Sequence, residues 1–318
     1  MLLKADLSTM TLPKISVVLP VYNGGDYLKL SIDSVLKQDF SEFELLVLDD
    51  CSNDGSWEFL QSIEDDRVRI FRNPANKGLF FNLNKMIRDS RTPLVKLWAQ
   101  DDIMYPNCLD HFFRFHQEHP EVGFSYCARD IIDGNGGLVR HYKVDHTPMI
   151  VSSELHAEIS FEHGSIAGNI ANVCITREAL NKVGLYNESM KISADFEMQV
   201  RIAQYFPVGF INVSLIQLRD HERQLSRNAE LYIFHVKEDF QVYKKLFSYV
   251  SDPLKKRGRI LLRKQKLMFY YTLMMQTLLK GNFKTAKEYF RLLIKFDNFF
   301  LLSFSFIRSR LKGQAKSV

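Results

Sequence analysis

The chain has 318 residues, of which 46% are hydrophobic and 25% charged, so it can bury a large core and is neither disordered nor fibrous in composition. Its net charge of +5 conceals a division along the chain: residues 231–318 hold 19 Lys and Arg against 5 Asp and Glu, whereas the rest is acidic. This asymmetry indicates that the basic region meets an anionic partner. We expect no nucleic acid there, because no nucleic-acid-binding motif accompanies the charge.

Cysteine spacing and the lengths of the apolar runs both predict a cytoplasmic protein. The cysteines form no CxxC pair, which argues against a zinc site or a disulfide framework and favours a reducing compartment (Cys51, Cys108, Cys127 and Cys174). Residues 1–14 carry charges where a signal peptide needs its apolar stretch. The longest apolar run, residues 299–307, is far shorter than the ~20 residues that span a bilayer.

The first two thirds of the chain alternate between strand-like and helix-like patterns. Continuous apolar runs predict buried strands at residues 14–22, 43–48, 68–71, 94–99, 122–127 and 208–218. Helices are predicted after Asn23 (which can cap the first of them), after Gly55, and at residues 79–87, 107–116 and 194–203. Residues 129–170, which are rich in Gly, His and polar side chains, are predicted to form connecting loops.

This β-α-β-α order predicts an α/β fold of Rossmann-like type, with a mostly parallel sheet and helices on both faces. From about residue 230 the pattern is helical, over residues 259–279 and 284–295. We therefore divide the chain into an α/β domain at residues 1–229 and a basic, mostly helical region at residues 230–318.

Two pairs of aspartates follow strand-like runs, Asp49-Asp50 and Asp101-Asp102. Ligands of parallel sheets bind beyond the carboxyl ends of the strands, so both pairs are expected at one edge of the sheet. Crowded carboxylates repel one another unless a cation offsets their charge. A Mg²⁺ or Mn²⁺ ion that bridges carboxylate and diphosphate oxygens would do so. The simpler alternative is that these aspartates cap helices and begin turns.

Six blocks in order resemble the family-two inverting glycosyltransferases, which have a GT-A fold. They are VVLPVYNGGDYLKLSIDSVLKQ, LLVLDDCSNDGS, NPANKGLFFNLN, AQDDIMYPNCLD, VGLYNESMKISADFEMQVRIA and QLRDHERQLS, within residues 13–228. The resemblance implies a GT-A catalytic domain at residues 1–229 that transfers a sugar from a nucleotide-diphosphate sugar to an acceptor hydroxyl. No GxGxxG follows the first strand, which disfavours a dinucleotide-binding oxidoreductase.

The resemblance also implies a nucleotide site. Pro20 and Tyr22 would form a wall on which the base stacks. Either Asp49 or Asp50 would accept the imide N–H of uracil or thymine, which predicts a UDP- or dTDP-linked donor. Lys77 lies in the loop that is usually near the nucleotide, although a surface lysine also needs no special explanation.

The AQDD block corresponds to the metal motif of the family, but Ala99 stands where an Asp is common. The resemblance assigns Asp101 to ribose or metal and Asp102 to a divalent cation, Mg²⁺ or Mn²⁺. His221 occupies a position where the family often has a basic residue near the diphosphate, and is a further candidate ligand. The loss of one carboxylate leaves open whether the metal is strictly required.

Asp195 matches the general base of the family, with Ala194 where a Glu is common. A carboxylate beside the acceptor hydroxyl would remove its proton as the glycosidic bond forms. The alternative is that Asp195 only stabilises the amino terminus of its helix. Glu197 and Arg201 are one turn apart and are predicted to form a structural pair.

The resulting prediction is an inverting hexosyltransferase that builds a cell-surface polysaccharide or glycolipid on a saccharide or lipid-linked saccharide acceptor. A catalytically degenerate protein that only binds nucleotide sugars is the alternative, because of Ala99 and Ala194. In the basic region, residues 299–316 mix Phe and Leu with Arg and Lys, as an interfacial helix does. That region either binds the inner face of the plasma membrane peripherally or packs on the catalytic domain.

Overall fold

A computed structural model of the chain describes residues 12–143, 146–222, 224 and 232–313. The contacts divide the chain into two units. Unit 1 comprises Met1–Ile150, Asn169–Tyr186 and Phe206–His221, and unit 2 comprises Val151–Gly168, Asn187–Tyr205 and Glu222–Val318. The boundary predicted at residues 229 and 230 lies outside the described residues, so the division at that point stays a prediction.

Strands and helices alternate as far as residue 97, and after it some strands and helices follow one another directly. As far as α4 they are β1 (Ile15–Val21), α1 (Gly25–Leu36), β2 (Phe43–Asp49), α2 (Ser56–Gln61), β3 (Val68–Arg72), α3 (Leu79–Asp89), β4 (Leu94–Leu97), β5 (Ile103–Met104) and α4 (Cys108–Glu118). They continue with β6 (Phe124–Ile132), β7 (Leu138–Arg140), β8 (Ile150–Val151), α5 (Ser153–His163), a 3-10 turn (Ile170–Asn172), β9 (Val173–Thr176), α6 (Arg177–Val183), α7 (Ala194–Ala203) and β10 (Val208–Arg219).

Unit 1 is built on one sheet with the strand order β3-β2-β1-β4-β9-β6-β10-β5. The first four strands in this order are parallel to one another, and β6 is parallel to β10. Strand β9 is antiparallel to both β4 and β6. The predicted α/β fold with a mostly parallel sheet is therefore confirmed, and helices follow the sheet strands in the predicted order.

Burial explains why these runs form strands. All seven residues of β2 are buried, as is typical of a parallel strand covered on both faces. The core of the unit joins strand residues to the apolar sides of α1 and α4, including Val17, Leu19, Leu28, Ile32 and Phe112. This rigid sheet fixes where the loops after each strand begin.

The loops predicted for residues 129–170 were only partly right. Strand β6 continues to Ile132, and α5 occupies Ser153–His163. The buried side of α5 includes His156 and Ser160, so the apolar periodicity that marks an amphipathic helix is weak in its sequence.

Unit 2 consists largely of helices, α5, α7 and five further ones. The latter are α8 (Tyr232–Tyr249), α9 (Asp252–Lys264), α10 (Lys266–Leu279), α11 (Phe283–Phe296) and α12 (Phe299–Gly313). The helix predicted at residues 259–279 is divided at Gln265, the residue between α9 and α10. Within the described part of the chain, every helix is too short or too polar to cross a membrane.

Candidate active site

Three neighbouring parallel strands of unit 1, β2, β1 and β4, end at the same edge of the sheet. Tyr22 follows β1, Asp49 closes β2 and is followed by Asp50, and the turn at residues 100–102 follows β4. The two aspartate pairs therefore lie at the ends of strands on either side of β1, in agreement with the predicted layout. Ligands of parallel sheets bind at this edge.

Tyr22 is held through its backbone and leaves its ring on the surface. Its N–H donates to Oε1 of Gln100 at 2.9 Å, and Nε2 of Gln100 donates back to its carbonyl at 3.1 Å. Tyr22 is 48% exposed, and Pro20, near the end of β1, is half-buried. An exposed aromatic ring on a fixed backbone suits stacking on a planar partner.

The loop between β1 and α1 is fixed by side chains that follow β2. Three successive backbone N–H groups at residues 23–25 donate at 2.9 to 3.0 Å to the side chains of Ser52, Ser56 and Asp54. The prediction that Asn23 caps α1 is wrong: Gly24 is the N-cap residue, and no side chain caps the helix. Asn23 has a φ of 49° instead, and its Oδ1 accepts from the N–H of Asn53.

Hydrogen bonding distinguishes the two aspartates of the first pair. Asp49 is buried, and its Oδ2 lies 3.2 Å from Nε of Arg72 on β3, while its Oδ1 has no partner in the part of the chain that the structure describes. Asp50 accepts three hydrogen bonds of 2.8 Å, from the side chain of Asn73 and the backbone N–H groups of Lys77 and Gly78. Asp50 thus shapes the loop at residues 73–78. Lys77 enters this arrangement through its backbone, and its residue is exposed.

The second pair is joined to the end of β10. Oδ2 of Asp101 lies 3.0 Å from Nε2 of His221. The backbone N–H of Arg219 donates to Oδ1 of Asp102, and Nε of Arg219 donates to the carbonyl of Asp101, both at 2.9 Å. The guanidinium also lies 4.5 Å from the ring centre of Tyr27. Arg219, which is buried, thus anchors the turn that carries both carboxylates.

Asp102 is in an unfavourable environment for a carboxylate. It is buried, and its Oδ2 has no hydrogen-bond partner among the described residues. Burial, followed by the nearby charge of Asp101, raises its pKa to about 8, although the N–H of Arg219 and the charge of Lys96 act in the opposite direction. A carboxyl that is unfavourable as an anion in the free protein is a candidate to meet a cation, whose charge would favour its ionised form.

The residues present fit a cation that is shared with a ligand, and do not form a complete metal centre. Among residues that the structure describes, no group of three or more His, Cys, Asp or Glu side chains is arranged to hold a metal ion. Oδ2 of Asp102 and Nδ1 of His221 are nevertheless buried and have no partner within the described ranges. Mg²⁺ and Mn²⁺ commonly take one or two protein ligands and fill the remaining positions with phosphate oxygens and water.

Asp195 belongs to unit 2, as the second residue of α7. Its Oδ1 accepts from the N–H of Phe196 at 2.7 Å, and the residue is half-buried. Burial raises its pKa to about 6 against the effect of that N–H, and the charge of Asp239 raises it further, whereas His235 lowers it. A carboxyl with this pKa is mostly ionised at neutral pH and is more basic than an ordinary aspartate.

The neighbouring Glu197 is occupied by cations, as predicted. Its Oε2 accepts from Nε of Arg201, and its Oε1 accepts from Nζ of Lys245, both at 2.9 Å. Both oxygens are therefore engaged in ion pairs within unit 2. This contrasts with Asp195, whose hydrogen bond is to a single backbone group of its own helix.

Sequence reasoning missed two residues that organise the edge of the sheet, Gln100 and Arg219. Gln100 immediately precedes the second aspartate pair, and Arg219 precedes His221 in the last of the six blocks. Their positions next to predicted ligands were the available signal. Their roles depend on contacts with residues 78 or more positions away, which no local pattern reveals.

Comparison with known proteins identifies the family. The model of glycosyl transferase family 2 matches residues 16–181, about half of the chain. The chain belongs to this family. The match includes every predicted residue of the nucleotide site in unit 1, whereas Asp195 and His221 lie beyond its end.

Related glycosyltransferases differ in how much of their length the chain spans. A Rickettsia felis protein described as an uncharacterized glycosyltransferase is 28% identical over 217 residues, which are 68% of this chain but 35% of the relative. The uncharacterized glycosyltransferase RT0329 of Rickettsia typhi is 26% identical, over 79% of this chain and 76% of its own length. The putative teichuronic acid biosynthesis glycosyltransferase TuaG of Bacillus subtilis is 27% identical, over 52% of this chain and 61% of its own.

Solved structures support the fold. The S. aureus TarS 1-349 structure in complex with UDP matches with a TM-score of 0.60 and 17% identity, over 78% of this chain and 69% of that one. The complex of the same protein with UDP-GlcNAc matches with a TM-score of 0.59 and 16% identity, over 89% and 91%. At this identity the likeness establishes a shared GT-A-type fold. None of the relatives named here is described as a non-catalytic binding protein.

Proposed function

We propose that this chain transfers a sugar from a UDP- or dTDP-linked donor to an acceptor hydroxyl with inversion at the anomeric carbon. The observation that carries the proposal is the edge of the sheet in unit 1, where an exposed Tyr22 and two aspartate pairs follow adjacent parallel strands. TarS, which shares the fold, has been solved with UDP and with UDP-GlcNAc. Glycosyl transferase family 2 supplies the reaction class.

In the nucleotide site, we assign stacking of the base to Tyr22 and acceptance of the imide N–H to Asp50. Both residues are buried, but Oδ2 of Asp49 is already paired with Arg72. Oδ2 of Asp50 accepts a single hydrogen bond, from Gly78, and a carboxylate oxygen can accept two. Lys77 lies in the loop at residues 73–78 and is our candidate for a diphosphate contact.

A divalent cation would be held by Asp102, with Asp101 and His221 as further ligands. When bound, it would neutralise charge on the departing diphosphate. Asp101 and His221 already lie 3.0 Å apart, and Asp102 is fixed by Arg219. These residues therefore hold their side chains in place before a donor arrives, which reduces the ordering needed on binding.

Asp195 would act as the general base. The acceptor oxygen attacks the anomeric carbon, the bond from that carbon to the diphosphate breaks, and the acceptor proton passes to the Asp195 carboxylate. A pKa of about 6 supports this role, because the group is ionised at pH 7 and still binds a proton more readily than an ordinary aspartate. Glu197 is less suited, because both of its oxygens face cations.

For the acceptor we propose a saccharide or lipid-linked saccharide of a cell-surface polysaccharide or glycolipid. The name of the relative TuaG, which refers to teichuronic acid biosynthesis, supports this choice. Such acceptors are met at the inner face of the plasma membrane. Two exposed apolar strips in unit 2 favour peripheral binding there: Phe283, Phe290 and Ile294 on α11, and Phe300, Phe304 and Ile307 on α12.

Calorimetry with UDP, dTDP, GDP and ADP in the presence of Mn²⁺ tests the donor assignment. We expect the two pyrimidine nucleotides to bind more tightly, and Asp50→Asn to weaken UDP binding more than the matched variant Asp49→Asn. A clear preference for a purine nucleotide would contradict the assignment. Release of UDP from a panel of UDP-sugars, with and without candidate acceptors, then tests catalysis.

A further inference from the structure

Helix α8 places two buried carboxylates next to the segment that leads into α7. Glu238 and Asp239 are 6% and 2% exposed, and both belong to unit 2 together with Asp195. Burying a carboxylate is costly unless donors or cations compensate for its lost hydration. The groups that compensate here belong mainly to the residues just before Asp195.

Glu238 binds three consecutive backbone N–H groups. Its Oε1 accepts from Lys191 at 2.7 Å, and its Oε2 accepts from Ile192 and Ser193 at 2.9 and 2.8 Å. Hydrogen bonds to a charged acceptor are roughly twice as strong as neutral ones. Three of them fix the backbone that ends two residues before Asp195.

Asp239 binds the side chain of Ser193, in the same segment before Asp195. Its Oδ1 accepts from the hydroxyl of Ser193 at 2.7 Å, and its Oδ2 accepts from the hydroxyl of Tyr270 on α10. Ser193 is the N-cap residue of α7, but its side chain makes no capping hydrogen bond, since it is directed to Asp239. Nδ1 of His235, one turn earlier on α8, lies 3.3 Å from the same Oδ1.

The carboxylate of Asp239 acts on Asp195 as well as on the segment before it. Its negative charge adds to the effect of burial and raises the pKa of Asp195, because like charges repel. Charged neighbours of this kind are characteristic of sites that tune a titratable group. Glu238 fixes the backbone of the same segment through its three N–H donors.

We propose that Glu238 and Asp239 are positioning residues that hold the Asp195 carboxylate for proton transfer and set the pH range in which it is ionised. This inference rests on the proposed role of Asp195. It makes α8 a functional part of the transferase.

The charged groups near Asp195 predict in which direction its pKa changes when each of them is removed. Burial opposes the charged form of His235, but the carboxylate of Asp239, which lies 3.3 Å from its Nδ1, outweighs this effect and raises the pKa of His235, so its cationic form is favoured. The pKa of Asp239 is lowered despite burial, by His235 first and then by Tyr270 and Lys266 on α10. Tyr243 of α8 faces the same carboxylate.

Removing the negative charge of Asp239 should therefore lower the titration midpoint of Asp195, and removing the positive charge of His235 should raise it. We would label the protein with [¹³Cγ]aspartate and follow the resonance that disappears in Asp195→Asn. The midpoint should be near 6 in the wild type. It should move down by roughly one pH unit in Asp239→Asn and move up in His235→Gln.

Equal midpoints in all three proteins would overturn the proposal. His235 is half-exposed, so His235→Gln keeps the test decisive if Asp239→Asn fails to fold. The measurement needs no donor or acceptor, and it therefore does not depend on knowing the substrate.

Kinetics tests the positioning role of Glu238. UDP release from the UDP-sugar that binds best should fall about 10- to 100-fold in Glu238→Gln, the effect of a small displacement of a catalytic group, with donor affinity unchanged. Glu288→Gln, which removes a surface ion pair with Lys237, is the matched control and should stay near wild type.

The two hypotheses fail in different ways. If Asp195→Asn retains full turnover, the proposed base is wrong whatever α8 does. If Asp195→Asn is inactive but Glu238→Gln and Asp239→Asn keep wild-type turnover and titration, only the inference about α8 is wrong.

Discussion

The carboxyl of Asp102 is buried beside Asp101, one of its oxygens has no partner among the residues that the structure describes, and its pKa is raised to about 8. Such a group is unfavourable as an anion unless a cation or a proton neutralises it. If the cation is shared with the donor diphosphate, the unfavourable free energy of the buried, ionised Asp102 is offset when donor and metal bind together. Metal and nucleotide should then bind cooperatively, each raising the affinity for the other.

Asp102→Asn should abolish that cooperativity, because it removes the charge of the proposed ligand while keeping its size. We expect Mn²⁺ to strengthen UDP binding to the wild type by about tenfold or more, equivalent to ~1.4 kcal/mol, and to have little effect on the variant. Calorimetry with and without EDTA measures both. Asp110→Asn, which removes a surface pair with Arg114, is the control. Equal UDP binding and turnover of the wild type in EDTA would exclude the metal role.

Asp195→Asn should act on transfer and leave the donor almost untouched. The amide keeps the shape of the side chain but cannot take a proton, so turnover should fall by ~10²–10⁴-fold, the usual contribution of a general base. Donor affinity should change by less than about threefold, because the base acts in the transition state. Steady-state kinetics and calorimetry with a UDP-sugar separate the two effects.

The pH dependence of the wild type provides a second test of the base. Because the ionised form is required and the pKa of Asp195 is about 6, turnover should rise as pH increases through that value and level off above it. Retained turnover in Asp195→Asn, or loss of its fold, would instead favour a structural role at the start of α7.

At the residue scale, the sequence predicted where carboxylates gather but not how they differ. Asp49 and Asp50 are adjacent at the end of β2. Their different hydrogen bonding depends on Arg72, the last residue of β3, and on Asn73, which follows it. Likewise, the block around Asp195 predicts a base there, whereas the effect of Asp239 on the pKa of Asp195 joins residues 44 positions apart. Tertiary interactions of this kind leave no local pattern.

At the element scale, long apolar runs were predicted well and short or polar-faced elements were not. β9 has only four residues and is antiparallel within a mostly parallel sheet, so neither its length nor its neighbours in sequence indicate it. The division between α9 and α10 was also not predicted, because both helices are basic and apolar and Gln265 is not a typical helix breaker.

The contact between α9 and α5 in unit 2 requires glycine at position 258. Gly258 of α9 faces the ring of Phe161 on α5, and a Cβ at that position would lie 2.6 Å from the ring. Phe161 is fully buried, so the ring has little room to move. Alanine would favour the helix by roughly 1 kcal/mol over glycine. Overpacking usually costs 1–3 kcal/mol, so we expect the clash to dominate (about 1 kcal/mol net).

Gly258→Ala should therefore lower the thermal midpoint, although alanine is the better helix former. Phe161→Leu alone should also destabilise the protein, since it leaves a cavity. The double variant should lose less than the sum of the two, because the smaller side chain makes room for the added methyl group. Thermal unfolding of the four proteins measures this coupling. Strict additivity, or stabilisation by Gly258→Ala alone, would show that the contact is not tight.

At the scale of the whole molecule, the basic charge of residues 231–318 coincides with exposed apolar side chains. On α12, Phe300, Phe304 and Ile307 are spaced by four and three residues, so they share one side of the helix. They are 82%, 64% and 58% exposed. Apolar strips of this kind flanked by Lys and Arg are typical of helices that lie in a membrane interface.

If this surface binds an anionic bilayer, replacing Phe300, Phe304 and Ile307 by serine should reduce sedimentation with phosphatidylglycerol vesicles, as should deletion of residues 299–318. Each Lys or Arg near the surface contributes ~1 kcal/mol, so high salt should weaken binding of the wild type by screening. The control replaces Leu138 and Val139, which are exposed on β7 of unit 1, by serine, and should bind like the wild type. Vesicles of neutral phosphatidylcholine should retain less protein. If the full chain binds no vesicle at any salt concentration, the strips on α11 and α12 do not bind membrane, and the basic region must pack against protein instead.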